Sequence, residues 1–313
     1  MVVLKVMTEA VAFAKTWILT HNHKMRRLLI IGCGDIALRV IPLLKQNYRV
    51  FALVRNAAYF AKLRTIGVEP LMGDLDDRSS LARIAGLADA VLHLAPPPSS
   101  GSHDTRTRNL LSILCRGRLP RRLVYISTSG VYGDYGGAWV SETHPLRATS
   151  PRAQRRIDAE KQIRGWAKRN RVSATILRVP GIYAQDRLPL SRVQQGTPGI
   201  IDSEDSYTSH IHADDLAHIT AVALQRGQVC RVYHTSDDSH LKMGEYFDSV
   251  ADAFGLPRIP RISRVEAQRV LPEGLLSFMN ESRRLTNQRM KSELKIKLRY
   301  PTVADLLATI KRQ

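Results

Sequence analysis

Two glycines one residue apart, Gly32 and Gly34, close an apolar run and are well suited to bring backbone close to an anion. Glycine lacks a side chain that would block a phosphate, and it accepts the backbone angles of a tight turn. The run Leu28-Leu29-Ile30-Ile31 enters Gly32-Cys33-Gly34-Asp35-Ile36-Ala37, after which apolar residues recur at helical spacing as far as Leu44. That order reads as a buried strand, a turn and a helix whose N-terminus can hold an anion. It is the opening unit of a dinucleotide-binding fold, with Gly32, Gly34, Asp35 and Ile36 as cofactor residues and Ala37 in place of the third glycine.

The following elements extend the reading. A second strand, 48–55, ends at Arg55, about twenty residues beyond the glycines. An acid there would hold the ribose 2′-hydroxyl of NAD. Arg55 instead favours the 2′-phosphate of NADP, the alternative being a solvated side chain. A third strand, 68–72, leads to Asp74 and Leu75, where Asp74 could meet an adenine or cap a helix starting near Arg78. A fourth, 90–95, closes on Pro96, Pro97 and Pro98, which cannot continue a ladder, and sets Leu94, Ala95 and Pro96 beside the cofactor. His93 within it reads as a core or loop-anchoring residue. After a helix over 104–115, a fifth strand covers 123–127. Strand and helix alternate at βαβ spacing, which predicts an α/β, Rossmann-type doubly wound parallel sheet with ligands at its carboxyl ends.

Composition narrows the classes of function. A net charge of +19 attracts anions, from nucleotide phosphates to nucleic acid, but no basic motif interleaved with aromatics is present, so nucleic acid is not expected as a partner. Cys33, Cys115 and Cys230 have no zinc or redox spacing, so no metal and a reduced, cytoplasmic setting are expected. Within residues 1–24 an apolar run, 10–19, is interrupted by Lys15 and is too short to span a bilayer. No membrane association is expected. Met25 immediately precedes the first strand, so 1–24 reads as an extension outside the fold or the product of a misplaced start codon. Basic residues crowd the helices before and after the fifth strand, and like charges would oppose a tight dimer that paired those helices, which predicts a monomer or weak homodimer.

The segment Tyr125-Ile126-Ser127-Thr128-Ser129-Gly130-Val131-Tyr132-Gly133, followed by Glu142, Pro145 and Ser150-Pro151, resembles the active-site strand and loop of the extended short-chain dehydrogenase/reductases, the NAD-dependent epimerase/dehydratase family. Leu177-Arg178-Val179-Pro180-Gly181-Ile182-Tyr183 and Ile211-His212-Ala213-Asp214-Asp215-Leu216-Ala217 resemble later family segments, and Glu281-Ser282-Arg283-Arg284-Leu285 is similar to an atypical branch. The resemblance implies an NAD(P)-binding domain over 25–183 and a smaller, mainly helical substrate region over 184–313 that can return a strand and helices to the sheet. It implies hydride transfer on a small carbonyl, hydroxyl or sugar-like substrate, with Pro180 near the cofactor.

It also implies that the Thr128 hydroxyl works with a tyrosine and a lysine. Aligning Glu160 with the family's glutamate puts Arg152 and Arg156 at those two positions. Arginine stays protonated, so Arg152 cannot replace a phenolic acid/base, whereas Arg156 can still donate to the nicotinamide ribose. Proton transfer would then fall to Tyr132, Tyr183, Glu142 or His212. Ser129 and Gly130 replace the two acids of the family's sugar dehydratases, which disfavours dehydration. Thr128, Tyr132, Arg152 and Arg156 are thus the catalytic candidates, and Ser129, Tyr183 and His210 the substrate contacts. Loss of the tyrosine and lysine leaves a non-catalytic NAD(P)-binding sensor or scaffold as the alternative. Asp214-Asp215 is expected to cap the helix that follows.

Overall fold

The computed structural model describes residues 25–310; the expectations for 1–24 lie outside these. The first half of the chain runs β1 (Arg26–Ile31), α1 (Asp35–Leu44), β2 (Tyr48–Val54), α2 (Tyr59–Thr65), β3 (Val68–Met72), β4 (Ala90–His93), α3 (Thr105–Leu114), β5 (Arg122–Thr128), β6 (Trp139–Val140) and α4 (Pro151–Asn170). The second half adds β7 (Ser173–Val179), β8 (Gly181–Tyr183), α5 (Leu190–Gln194), β9 (Gly199–Ile200), β10 (His210–His212), α6 (Ala213–Arg226) and β11 (Arg231–His234). It ends with α7 (Met243–Ala253), β12 (Arg261–Ile262), α8 (Arg264–Val270), α9 (Glu273–Met279), β13 (Arg284–Leu285), α10 (Gln288–Leu294) and α11 (Val303–Ile310).

Seven strands form one parallel sheet in the order β3-β2-β1-β4-β5-β7-β11. The central strands are apolar almost without interruption because helices cover both faces; Leu28 to Ile31 of β1 are wholly buried. Ala37, Val40, Ile41 and Leu44 turn one face of α1 into that core, at the spacing of successive helical turns. The strand order reverses direction between β1 and β4, so the loops after these two strands part and leave a crevice at their carboxyl ends.

The chain beyond residue 183 does not stand apart from this sheet. It supplies the edge strand β11, and α6 packs within the same apolar cluster as α1. A second cluster, around Tyr246, Phe247, Val250 and Leu306, holds α7 and α11 over the carboxyl end of the sheet. Three short parallel pairs, β8 with β10, β9 with β12 and β6 with β13, stitch the loops together there.

Several local expectations need correction. The turn after β3 is a 3-10 helix over Arg78–Ile84 capped by Asp77, whose carboxylate accepts the Ser79 N–H, so Asp74 is not the cap. Nor do Asp214 and Asp215 cap α6: that role belongs to His212, whose Nδ1 accepts the Asp214 N–H at 3.2 Å. Asp215 instead accepts the backbone N–H groups of Arg299 and Tyr300, at 2.7 and 2.9 Å, and so ties the C-terminal segment to α6. No described helix is long and apolar enough to cross a membrane.

Candidate active site

At the crevice between β1 and β4 lies a cleft of about 820 Å³. Gly32, Gly34, Asp35, Ile36, Arg55, Asp74, Leu75, Leu94, Ala95 and Pro96 all line it, although they come from four separate strand ends. The two glycines serve different ends. Gly32 has φ +89°, and a Cβ there would meet the Ala95 nitrogen at 2.5 Å, so packing between the β1 and β4 loops demands glycine. A Cβ on Gly34 would meet nothing within 4 Å, so its small size leaves the start of α1 open to a ligand. Burial pushes the Cys33 thiol between them up to about 11, which keeps it protonated.

Arg106 also lines this cleft. Its guanidinium holds both Asp76 oxygens, at 2.8 and 2.6 Å, and donates to the Pro96 carbonyl at 3.2 Å. Sequence reasoning passed over it because it projects from α3, outside the strand-end segments. Its place in an arginine-rich run hid it further.

A second cleft, of about 690 Å³, opens beside the first, and Ile182 and Arg187 line both. Thr128, Ser129, Arg152 and His210 face it. The Thr128 Oγ1 accepts the Gly130 N–H at 3.2 Å, which leaves its own proton to donate. Arg152 is exposed and lies 5.4 Å from the Phe278 ring centre. Arg192 stacks 4.1 Å over Phe247, and burial pulls its pKa below the usual guanidinium value against the weaker pull of Asp205. Arg283 donates to the Gly133 carbonyl and to Glu281, each at 2.8 Å. His210 is buried, its ring centre 4.3 Å from that of Tyr246, and its Nδ1 has no partner among the described residues. Burial holds this imidazole down at about 4, so it is neutral at pH 7.

The remaining expected site residues lie elsewhere. Tyr132 is fully buried and outside both clefts: its hydroxyl takes a 2.6 Å bond from Arg178, its ring meets His234 edge-on, and burial pushes its pKa up to about 12. Tyr183 is likewise buried, with its pKa raised first by burial and then by Asp237. Arg156 donates to the Ile126 carbonyl at 2.7 Å and the Tyr125 hydroxyl at 3.0 Å, and so fastens α4 to β5 rather than lining the first cleft. Pro180 lines the second cleft, not the first. Glu142 and His212, the other proposed proton carriers, line neither: Glu142 receives the His234 N–H, and His212 stacks 4.0 Å from Tyr300.

Beneath this cleft a buried pair unpredicted from the sequence, Arg178 with Glu160, closes at 2.7 Å with side chains only 4% and 3% exposed. Glu160 also receives the Ser127 hydroxyl at 2.6 Å. The pair thereby joins α4, β5 and β7 under the Thr128 loop. His93 is buried and bonded through Nε2 to Thr107, and burial, with Arg156 nearby, lowers it to about 3.

A doubly wound parallel sheet with a glycine-lined cleft at its switch point is the architecture of the dinucleotide-binding α/β proteins, and here a second cleft adjoins the first. The family model described as "NAD dependent epimerase/dehydratase family" matches residues 36–234, more than half of the chain, and the protein belongs to that family. A dTDP-glucose 4,6-dehydratase of Mycolicibacterium smegmatis is 26% identical over 240 residues, 67% of this chain and 71% of the relative. A 4-hydroxy-2-methyl-3-oxo-4-farnesyl-3,4-dihydroquinoline-1-oxide ketoreductase of Stigmatella aurantiaca is 24% identical over 248 residues, 74% of each chain. Among solved structures, a functionally unknown conserved protein from Silicibacter pomeroyi superimposes with a TM-score of 0.74 at 27% identity, covering 92% of this chain and 98% of that one. A dTDP-glucose 4,6-dehydratase from Streptomyces venezuelae, solved with NAD and DAU bound, gives 0.73 at 22% identity, over 91% and 96% of the two chains; at that identity the likeness is one of fold alone.

Proposed function

We propose that this protein is an NAD(P)-dependent oxidoreductase or epimerase-like enzyme that acts by hydride transfer on a small, anionic carbonyl, hydroxyl or sugar-like compound. The observation that carries the reading is the junction of the two clefts, with glycines and strand ends in one and the Thr128 hydroxyl in the other. When bound, a nicotinamide dinucleotide supplies or accepts the hydride. Gly34 and the open α1 N-terminus would hold its pyrophosphate. NADP is favoured over NAD because Arg55, exposed at the end of β2, stands where an acid would select NAD.

The chain's own residues would bind and orient the substrate. Thr128 donates to a substrate oxygen. Arg152 and Arg192 favour an anionic group, because neither forms an ion pair with a carboxylate among the described residues, and aromatic rings back both. Ser129 and Gly130 at the mouth of the loop, in place of the two acids that resemblance assigns to sugar dehydratases, argue for simple redox chemistry or epimerisation over dehydration. We assign 25–183 to cofactor binding and 184–313 mainly to substrate binding.

One observation favours a second reading, a non-catalytic NAD(P)-dependent sensor. Arg156, aligned with the family's lysine, spends its Nη1 on the Ile126 carbonyl and the Tyr125 hydroxyl. NADPH and NADH fluorescence titrations test the cofactor and its preference. NADPH oxidation against aldehydes, 2-oxo acids and keto-sugar phosphates separates the readings: turnover supports the enzyme, and micromolar binding without turnover supports the sensor.

A further inference from the structure

Arg187 sits in the 3-10 turn Gln185–Arg187, between β8 and α5, and reaches the wall shared by the two clefts. Its Nη1 lies 2.9 Å from Oδ2 of Asp35, the first residue of α1. Asp35 has another partner: Arg39 Nε lies 3.0 Å from its other oxygen. Arg39 also meets Asp214 at 2.7 Å and Asp186 at 3.1 Å. Two guanidinium groups thus face three carboxylates. If Arg187 turned away, Asp35 would keep Arg39, so Arg187 is the cation that can leave at least cost. The side chains of Arg187 and Asp35 are 37% and 41% exposed, so this contact is not locked by packing.

Asp35 is an unusual occupant of its position if the proposed cofactor binds. A carboxylate at the first turn of α1 complements the helix dipole, but it also stands close to where the same helix end would receive a pyrophosphate. Two like charges there repel unless a cation joins them. Of the two cations held against Asp35, Arg187 is the one that lines the cleft, and a guanidinium fork can bridge a carboxylate and a phosphate. The cleft's other arginines have different duties: Arg106 holds Asp76, and Arg55, just past the end of β2, stands where the proposed cofactor's ribose would lie.

We propose that Arg187 is a direct ligand of the cofactor pyrophosphate, held ready by Asp35, and that its engagement orders the turn leading to the substrate cleft. The inference rests on the dinucleotide reading above. Because α5 follows the turn closely and carries Arg192 into the second cleft, cofactor binding would shape the substrate site before substrate arrives.

The test uses the full chain and two probes, NADPH and ADP-ribose, the latter retaining the pyrophosphate but not the nicotinamide. In calorimetric titrations R187Q is expected to bind both about tenfold more weakly, the loss of a charge-assisted contact, with its urea midpoint unchanged. D186N breaks the same ion-pair network without touching Arg187, and its affinities are expected within about twofold of wild type, the loss of a surface pair only. Hydrogen exchange over residues 185–194 is expected to slow on adding NADPH to the wild type and not to R187Q. Unchanged affinity in R187Q, or an equal loss in D186N, would overturn the proposal. Should R187Q not fold, R187K decides: it keeps the charge but not the fork, so a loss of about threefold is expected and no loss overturns it. A wild type that binds neither probe overturns the dinucleotide reading itself, a failure separate from that of the variants.

Discussion

The two clefts meet at Arg187 and Ile182 yet are built by different means. The first cleft is made of short segments at the ends of successive parallel strands, three glycines among them. The second cleft draws its lining from many elements, among them Thr128 at the end of β5, Arg152 on α4, Arg192 on α5, His210 on β10 and Phe278 on α9. The first follows from strand order and glycine. The second depends on how distant helices pack, so small sequence changes can reshape it without disturbing the sheet.

Substituting the two glycines breaks this comparison most sharply. G32V forces a β-branched residue to φ +89° against the Ala95 nitrogen, and is expected to cost roughly 2–5 kcal/mol and abolish cofactor binding, as urea unfolding and NADPH fluorescence would show. G34A should leave the urea midpoint near that of wild type and still weaken NADPH binding, because its Cβ meets only the space a ligand needs. Equal destabilisation by both would end the distinction between a packing glycine and a binding glycine.

Beneath the second cleft the sensitive feature is a charge. E160A leaves the Arg178 guanidinium buried without its carboxylate, and a loss of roughly 3–5 kcal/mol in unfolding free energy is expected. Cofactor affinity of the folded fraction should change little, since neither residue lines the first cleft.

Stability should also depend on pH in two opposed ways. Burial holds His93 and His234 near 3 and His210 near 4, against an ordinary 6.5, so below 6.5 the unfolded chain binds more protons and stability falls toward acid. Asp237 has the opposite sign. Burial raises its carboxyl from 3.8 to about 8, the folded state binds the extra proton, and that contribution is lost as pH rises through this range. Thermal midpoints should therefore peak near about pH 6.5, and D237N should flatten the decline above it. A decline unchanged in D237N would remove Asp237 as its source.

The smallest effect expected is at Arg55, in the first cleft. R55A should weaken NADPH by about tenfold and leave NADH nearly unchanged, a difference of about 1.4 kcal/mol. Equal effects on both would leave Arg55 a solvated side chain.

The sequence made the sheet and first cleft legible because each of their parts is local. An apolar run that ends in glycine, proline or aspartate marks both a strand and its carboxyl end, and parallel topology brings those ends together. Arg106 was missed for the complementary reason: it reaches the cleft from a helix through Asp76, and nothing in its neighbours along the chain distinguishes it from the exposed arginines nearby. Tyr132 and Tyr183 show the reverse error. Both follow strand ends in sequence, but Tyr132 turns inward to Arg178 and His234, and Tyr183 turns into the cluster under α7.

By itself, then, the sequence determined the alternation of strand and helix, the glycine turn, and the family to which the chain belongs, because periodicity and short motifs encode each of them along the backbone. Only the tertiary structure decided which hydroxyls, imidazoles and guanidinium groups reach the second cleft. Burial and long-range pairing choose a side chain's direction, and both depend on residues far apart in the chain. Arg187 stands at that boundary: it lies in a polar loop by sequence, and folding places it against Asp35, between the two clefts.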